Sequence, residues 1–369
     1  MKFSNIGNNL RKFDQRKYQI AFALIFLSLT PTVNYLLLTH DPKQNRMFYG
    51  DPDYMENGNI MVCGGDILDS FDVLDRIENN EQYIPEEQRN NFIAEINRQG
   101  EIVWAVEGFD FPHELIQLPN GELLVADTLN DRVVQVNYPN YFHVWEWNPE
   151  MINWTEVNPA WGPEHYYNNN EGNFDWSHLN DVDFKSYDTW DALLISLRNF
   201  DLVVEINFTA AKSHRPRASD VVWYYGDHKN YSLLNHQHNP DYLSNGNIVI
   251  ADSENNRVVE VNKTTKEVEW SYNQGLTWCR DANELPLNIS LPGLGVGRES
   301  FLISDVDRIF VVDKETKSVV WQFEEEILQA YSTEFNPKTQ KILVDCSFLG
   351  KIIEVDFKAK EIVWEHGSS

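Results

Sequence analysis

Cysteine is scarce in this chain: three residues in 369, at Cys63, Cys279 and Cys346. Three widely separated thiols make neither a disulfide framework nor a metal-ligand set, and allow one bridge at most. Positive charge is also short. Lys and Arg number 30 against 57 Asp and Glu, a formal net charge of −27. Nucleic-acid binding rests on basic phosphate contacts, so nucleic acid is excluded as a partner. No quinone-binding signature is apparent, and no acidic cluster suited to calcium stands out at the strand starts. No metal and no cofactor are expected.

One long stretch lacks charge altogether, from Tyr18 to Thr39. Roughly 20 apolar residues in a helix cross a bilayer, so 18–39 is read as a transmembrane signal anchor. Lys2, Arg11, Lys12, Arg16 and Lys17 precede it and Asp41 follows. The positive-inside rule then keeps residues 1–17 in the cytoplasm and exports the rest to the extracellular side of the cell membrane. No small-x-small cleavage site is apparent, which favours an anchor over a cleaved signal peptide. Residues 40–50 read as a stalk. Five Asn-x-Ser/Thr sequons, at Asn153, Asn207, Asn230, Asn262 and Asn288, are consistent with a glycosylated exterior, although an Asn-rich chain generates sequons by chance.

What the chain has in quantity is repetition. NPDYLSNGNIVIADS at Asn239–Ser253 parallels DPDYMENGNIMVCGG at Asp51–Gly65, and HELIQLPNGELLVADT runs from His113 to Thr128 in the same frame. Each is a short strand, an Asn-Gly turn and an apolar strand, and Asn-Gly between apolar runs is a strong hairpin signal. Two of these units continue into Asp-x-x-Asn-x-Arg and an alternating strand. The closing strands carry Trp104, Trp145, Trp223, Trp270, Trp321 and Trp364. Most of the gaps between them suit a four-stranded propeller blade of about 40–50 residues. The expectation is an all-β fold, a six-bladed β-propeller over 51–369, preceded by one N-terminal transmembrane helix. One ring uses the whole exported chain and leaves no room for a second domain.

Departures from a repeat are better candidates for function than the repeat itself. Three consecutive units place a His at the start of the first strand: His113, His178 and His238. Where two units end their second strand in Asp127-Thr128 and Asp252-Ser253, the third has Leu197-Arg198. Three imidazoles and one guanidinium at one channel mouth of an acidic protein make a local cationic pocket, suited to a small anion or an anionic ester. The other use of three His is a metal site, with Glu114, Asp181 and Asp241 available to orient the rings. An Arg aimed into the same site argues for the anion.

FPHELIQLPNGELLVAD, WSHLNDVDF with DALLISLRNFDLVVEINF, and NHQHNPDYLSNGNIVIADSENNRVVEV resemble, in order and character, the His- and Arg-bearing blades of the PAPS-independent arylsulfotransferase family. Their HLND, LRNF and QHNP variants are similar to an archaeal-type branch. The resemblance is clear over roughly Asp110–Asn262. It implies that His238 is the nucleophile that carries the sulfuryl group as a sulfohistidine. It implies that His178 and Arg198 bind the sulfate and stabilise the transition state, and that His113 contacts the sulfate or the leaving phenol. The implied substrates are an aryl sulfate donor and a phenolic acceptor. The chain departs from the family pattern in two respects. It has an apolar helix and stalk in place of a β-rich N-terminal domain, and Asn239-Pro240 follows His238 where the family usually has Asp. The alternative reading is a non-catalytic membrane-anchored propeller binding an anionic ligand, a glycan or a protein partner on the same rim.

Overall fold

The computed structural model describes residues 47–66, 91–166, 175–289 and 295–367. They form six four-stranded antiparallel sheets, each built from consecutive strands in simple up-and-down order. The first blade comprises Met47–Tyr54, Ile60–Asp66, Phe92–Ile96 and Ile102–Glu107; the second, Pro112–Gln117, Leu123–Asp127, Arg132–Asn137 and Phe142–Trp147. The third comprises Leu179–Ser186, Asp191–Leu197, Leu202–Asn207 and Val221–Gly226; the fourth, His238–Tyr242, Ile248–Asp252, Arg257–Val261 and Val268–Tyr272. The fifth comprises Asp281–Glu284, Ser300–Asp305, Arg308–Asp313 and Val319–Phe323; the sixth, Ala330–Asn336, Lys341–Cys346, Lys351–Asp356 and Glu361–Gly367. The six-bladed propeller is therefore observed. Residues 47–50, read as stalk, lie in the first strand of the first blade.

Local chemistry explains the blades. The Asn-Gly pairs turn the first strand into the second, with Gly58, Gly121 and Gly246 all at positive φ. The apolar second strands are buried end to end, as in Leu123–Asp127 and Ile248–Asp252, because they are covered on both faces. The fourth strands alternate exposed and half-buried positions, as the outermost strands of a ring must. Asp127 and Asp252 each tie down the turn that follows. Asp252 accepts hydrogen bonds from Asn255 Nδ2 (2.8 Å) and Arg257 Nε (2.6 Å), and Asp127 does the same with Asn130 and Arg132.

The repeated Trp residues stitch blade to blade. Each donates its indole Nε1–H to a backbone carbonyl between the third and fourth strands of the next blade. Trp104 reaches Pro139, Trp145 reaches Ala211, Trp223 reaches Lys263, Trp270 reaches Lys314 and Trp321 reaches Phe357, at 2.7–3.2 Å. Trp364 reaches Arg98 in the first blade at 3.0 Å and so closes the ring. Arg98 also lies over the Trp364 ring at 4.9 Å. Among the described residues the last blade is built of its own four consecutive strands. The first-to-sixth seam is held by side chains, including Arg98 and Tyr54 on the buried Glu354 and an apolar cluster of Ile60, Val62, Ile96, Leu343 and Ile352.

The three cysteines are buried and free, so no disulfide forms among them. The expected anchor, 18–39, lies outside the described residues. Among the described residues no helix is long and apolar enough to cross a membrane.

Candidate active site at the channel mouth

The strand ladders fix which residues are equivalent. Counting back from the pairs Asp53–Met61, Ile116–Leu124, Asp183–Leu194, Asp241–Val249, Asn283–Leu302 and Glu334–Leu343, one position at the mouth recurs in all six blades. It is Gly50, His113, Asn180, His238, Arg280 and Tyr331. His178 therefore does not share the register of His113 and His238, as its sequence context suggested; it stands two residues earlier. The backbone shows the same thing. His178 takes a positive φ (44°), as do Phe111, His236, Trp278 and Gln329, each two residues before its blade's mouth position. A left-handed non-glycine residue repeated at one place is a built feature, since it costs of order 1–3 kcal/mol. Gly50 has a local reason: a Cβ there would lie 2.8 Å from the His113 carbonyl oxygen.

Despite the offset, the side chains converge. The ring of His113 lies 5.0 Å from that of His178, and Tyr331 lies 5.7 Å from both His113 and His238. Arg198 follows the second strand of the third blade, with its backbone N–H on the His178 carbonyl (3.2 Å). All three His residues are buried.

Each imidazole has its Nδ1 engaged. His113 Nδ1 meets the Phe111 carbonyl (3.0 Å) and Thr128 Oγ1 (2.9 Å). His238 Nδ1 meets the His236 carbonyl (3.1 Å) and Ser253 Oγ (2.9 Å). The carbonyls accept only, which favours the proton on Nδ1 of His113 and His238, while Arg280 Nη1 lies 3.0 Å from His238 Nδ1 and 2.6 Å from its Nε2. Thr128 and Ser253 are the residues whose place Arg198 takes in the third blade. There His178 Nδ1 is held instead by Asp175 (2.8 Å). Among the described residues the carboxylate that orients His178 is Asp175 rather than Asp181. Asn239, in the place of the family's usual Asp, points its amide to Asp51 Oδ2 (3.1 Å), and the His236 carbonyl and Ser253 orient His238. His236 itself is half-buried, with Nδ1 on Asn235 Oδ1 (3.0 Å).

Two mouth residues escaped the sequence reading. Arg280 is buried, places Nη1 2.6 Å from His238 Nε2, and lies over the Trp278 ring at 3.6 Å. Its Nε–H has no hydrogen-bond partner among the described residues. Tyr331 packs between His113 and His238. Arg280 immediately precedes the first strand of the fifth blade and Tyr331 lies in the first strand of the sixth, where the repeats begin less clearly. The fifth blade's first hairpin is interrupted by Pro286 and Pro292 and lacks an Asn-Gly turn. The legible signal was Arg280-Asp281 matching the basic-then-polar order of His238-Asn239.

Burial and neighbouring cations lower all three imidazoles, and Asp175 offsets this at His178. Burial, then Arg280, Arg198 and the other two rings push His238 well below the ordinary value of 6.5. Burial and His178 push His113 down to about 3. His178 is lowered by burial but supported by Asp175. Burial opposes the charge on Asp175, yet His178 and Arg198 hold it below the ordinary carboxylate value. Burial draws Arg280 down to about 10.

Directly below the mouth the channel is acidic, contrary to the expectation for the strand starts. Asp51, Glu114 and Asp181 bring carboxylate oxygens within 4.8 Å of one another. Burial, then mutual repulsion, pushes Glu114 and Asp181 far above the ordinary range.

A six-bladed propeller with a buried imidazole–guanidinium mouth defines a class of protein equipped to hold an anion beside a neutral nucleophile. A family model described as arylsulfotransferase (ASST) matches residues 43–238, more than half of the chain, and the chain belongs to that family. The match ends at His238, so Arg280 and Tyr331 lie beyond it. No curated protein matches the chain. Among solved structures, a protein of unknown function from Bacteroides caccae is similar at a TM-score of 0.47 and 12% identity, over 75% of this chain and 90% of that one. Dihydro-heme d1 dehydrogenase NirN in complex with DHE is similar at 0.45 and 10%, over 87% of this chain and 57% of that one.

Proposed function

We propose that the protein transfers a sulfuryl group from an aryl sulfate to a phenolic acceptor, with His238 as the carrier. One observation supports this above the others. Buried Arg280 sets its Nη1 2.6 Å from the His238 Nε2 and has a further N–H, at Nε, without a partner among the described residues, a nucleophile next to an anion donor.

In the first step Nε2 of His238 attacks sulfur. The N–S bond forms, the S–O(aryl) bond breaks, and the phenolate leaves with the electron pair. Nδ1–H stays on the His236 carbonyl throughout, which favours one tautomer of the ring. Charge on the sulfuryl oxygens is met by Arg280, Arg198 and a His178 that Asp175 enables to carry a proton. In the second step the phenol oxygen attacks sulfur and the N–S bond breaks. His113, whose ring lies 5.0 Å from that of His178 at the mouth, takes the phenol proton and passes it to solvent. Incubation with an aryl sulfate and no acceptor, followed by peptide mass spectrometry, is expected to find the sulfuryl group on His238. Full turnover by His238→Ala would refute the assignment.

We also propose that the propeller is exported and held at the membrane by residues 18–39. The uncharged run and the basic residues before it support this. The protein is expected in the membrane pellet after alkaline carbonate washing, and release of the intact chain would contradict it.

A further inference from the structure

We propose that the propeller axis holds one calcium ion directly beneath the mouth, ligated by Asp51, Glu114 and Asp181. These residues each follow the mouth position of their blade, so the first three blades contribute one carboxylate apiece to a single layer. Their oxygens lie within 4.8 Å of one another. Oxygens that close fit around a single divalent ion, and calcium accepts irregular sets of carboxylate, amide and hydroxyl oxygens where magnesium demands a near-ideal octahedron and keeps its waters. Among the described residues no Lys or Arg forms an ion pair with any of the three.

The same layer carries a separate sign of a missing ligand. Asn239, 5% exposed, donates its amide N–H to Asp51 Oδ2, while its own Oδ1 has no partner. Asp181 Oδ2 and Ser332 Oγ, both buried in that layer, also have none. Buried polar atoms are otherwise satisfied in folded proteins, and several orphans around one point call for an unseen partner. The donors are oxygens alone, charged and neutral together, with neither imidazole nor thiolate. That chemistry selects a hard cation and disfavours zinc or copper. A doubly charged ion relieves the repulsion among half-buried Asp51 and buried Glu114 and Asp181 and ties the first three blades together at the axis.

The test uses the full chain, treated with EGTA and dialysed into metal-free buffer at physiological ionic strength. That salt screens the acidic surface. Equilibrium dialysis with radioactive calcium is expected to give one saturable site per chain. Adding calcium is expected to raise Tm, with magnesium at the same concentration giving a smaller rise. The variant carrying Glu114→Gln and Asp181→Asn is expected to lose both effects and, without calcium, to melt no lower than the EGTA-treated native chain. Absence of a saturable site on the native chain at millimolar calcium would overturn the proposal without recourse to any variant. So would unchanged stoichiometry in the double variant. Neither readout depends on sulfuryl transfer, so the calcium site and the catalytic reading stand or fall separately.

Discussion

Arg280 places its Nη1 2.6 Å from Nε2 of His238, so the guanidinium donates to the lone pair proposed to attack sulfur. Its position over the Trp278 ring keeps it desolvated and aimed at the mouth. A sulfuryl group entering this space takes Arg280 as its own donor and thereby frees Nε2. Arg280→Ala is expected to lower kcat about 10²–10³-fold, the usual loss for one preorganised oxyanion donor. Arg280→Lys is expected to recover only part of this, because an ammonium lacks the planar fork. Independently of activity, NMR titration of Arg280→Ala should show the His238 pKa rising, since a cation that depresses it is gone.

The pH profile follows from the same field. The nucleophile is lost as pH falls through the folded-state pKa of His238, which lies well below 6.5. Transfer from an aryl sulfate is therefore expected to stay level through pH 6.5 and to fall only in more acidic buffer. A profile that halves at 6.5 or above would mean that the acting imidazole is not this one.

Asp175 stands to His178 as a carboxylate that makes a protonated ring tolerable. Asp175→Asn keeps the shape but removes the charge. A drop of about 10²–10⁴ in kcat with little change in KM is expected, in line with losing a proton-handling group. NMR should show the His178 pKa falling further, a readout that a purely structural role would not move.

Ser253→Ala tests orientation alone. His238 retains the His236 carbonyl, so the loss should match one hydrogen bond of about 1 kcal/mol, roughly 5-fold in rate. A loss as large as that of His238→Ala would show that Ser253 takes part in the chemistry.

Much of this was legible in the sequence because it repeats. The Asn-Gly turns, the Asp-x-x-Asn-x-Arg turn locks and the closing-strand Trp residues each do one physical job at a fixed place, and they announce six blades. The mouth was legible where a blade keeps that frame, at His113 and His238. It was misread at His178, because that residue holds the left-handed place of Phe111 and His236 rather than that of His113 and His238, and only the backbone register shows the offset. It was missed at Arg280 and Tyr331, where the first strands lack the Asn-Gly turn. The acidic layer was hidden for a different reason. Asp51, Glu114 and Asp181 are far apart in the chain and ordinary in their local contexts, and only closure of the ring brings them together.

The tryptophan seams bear on stability. Trp321→Phe keeps the packing but leaves the buried Phe357 carbonyl without its donor. A loss of about 1–3 kcal/mol in denaturant unfolding is expected, with an unchanged m-value.

Those seams have a wider consequence. The join between last and first blades uses the same indole-to-carbonyl stitch as the five others, and no strand crosses it. The first and last strands of the propeller thus meet at a junction no different in kind from its neighbours. A gene for the propeller alone, opened between any two blades and with Gly367 joined to Met47 by a linker, should encode the same ring.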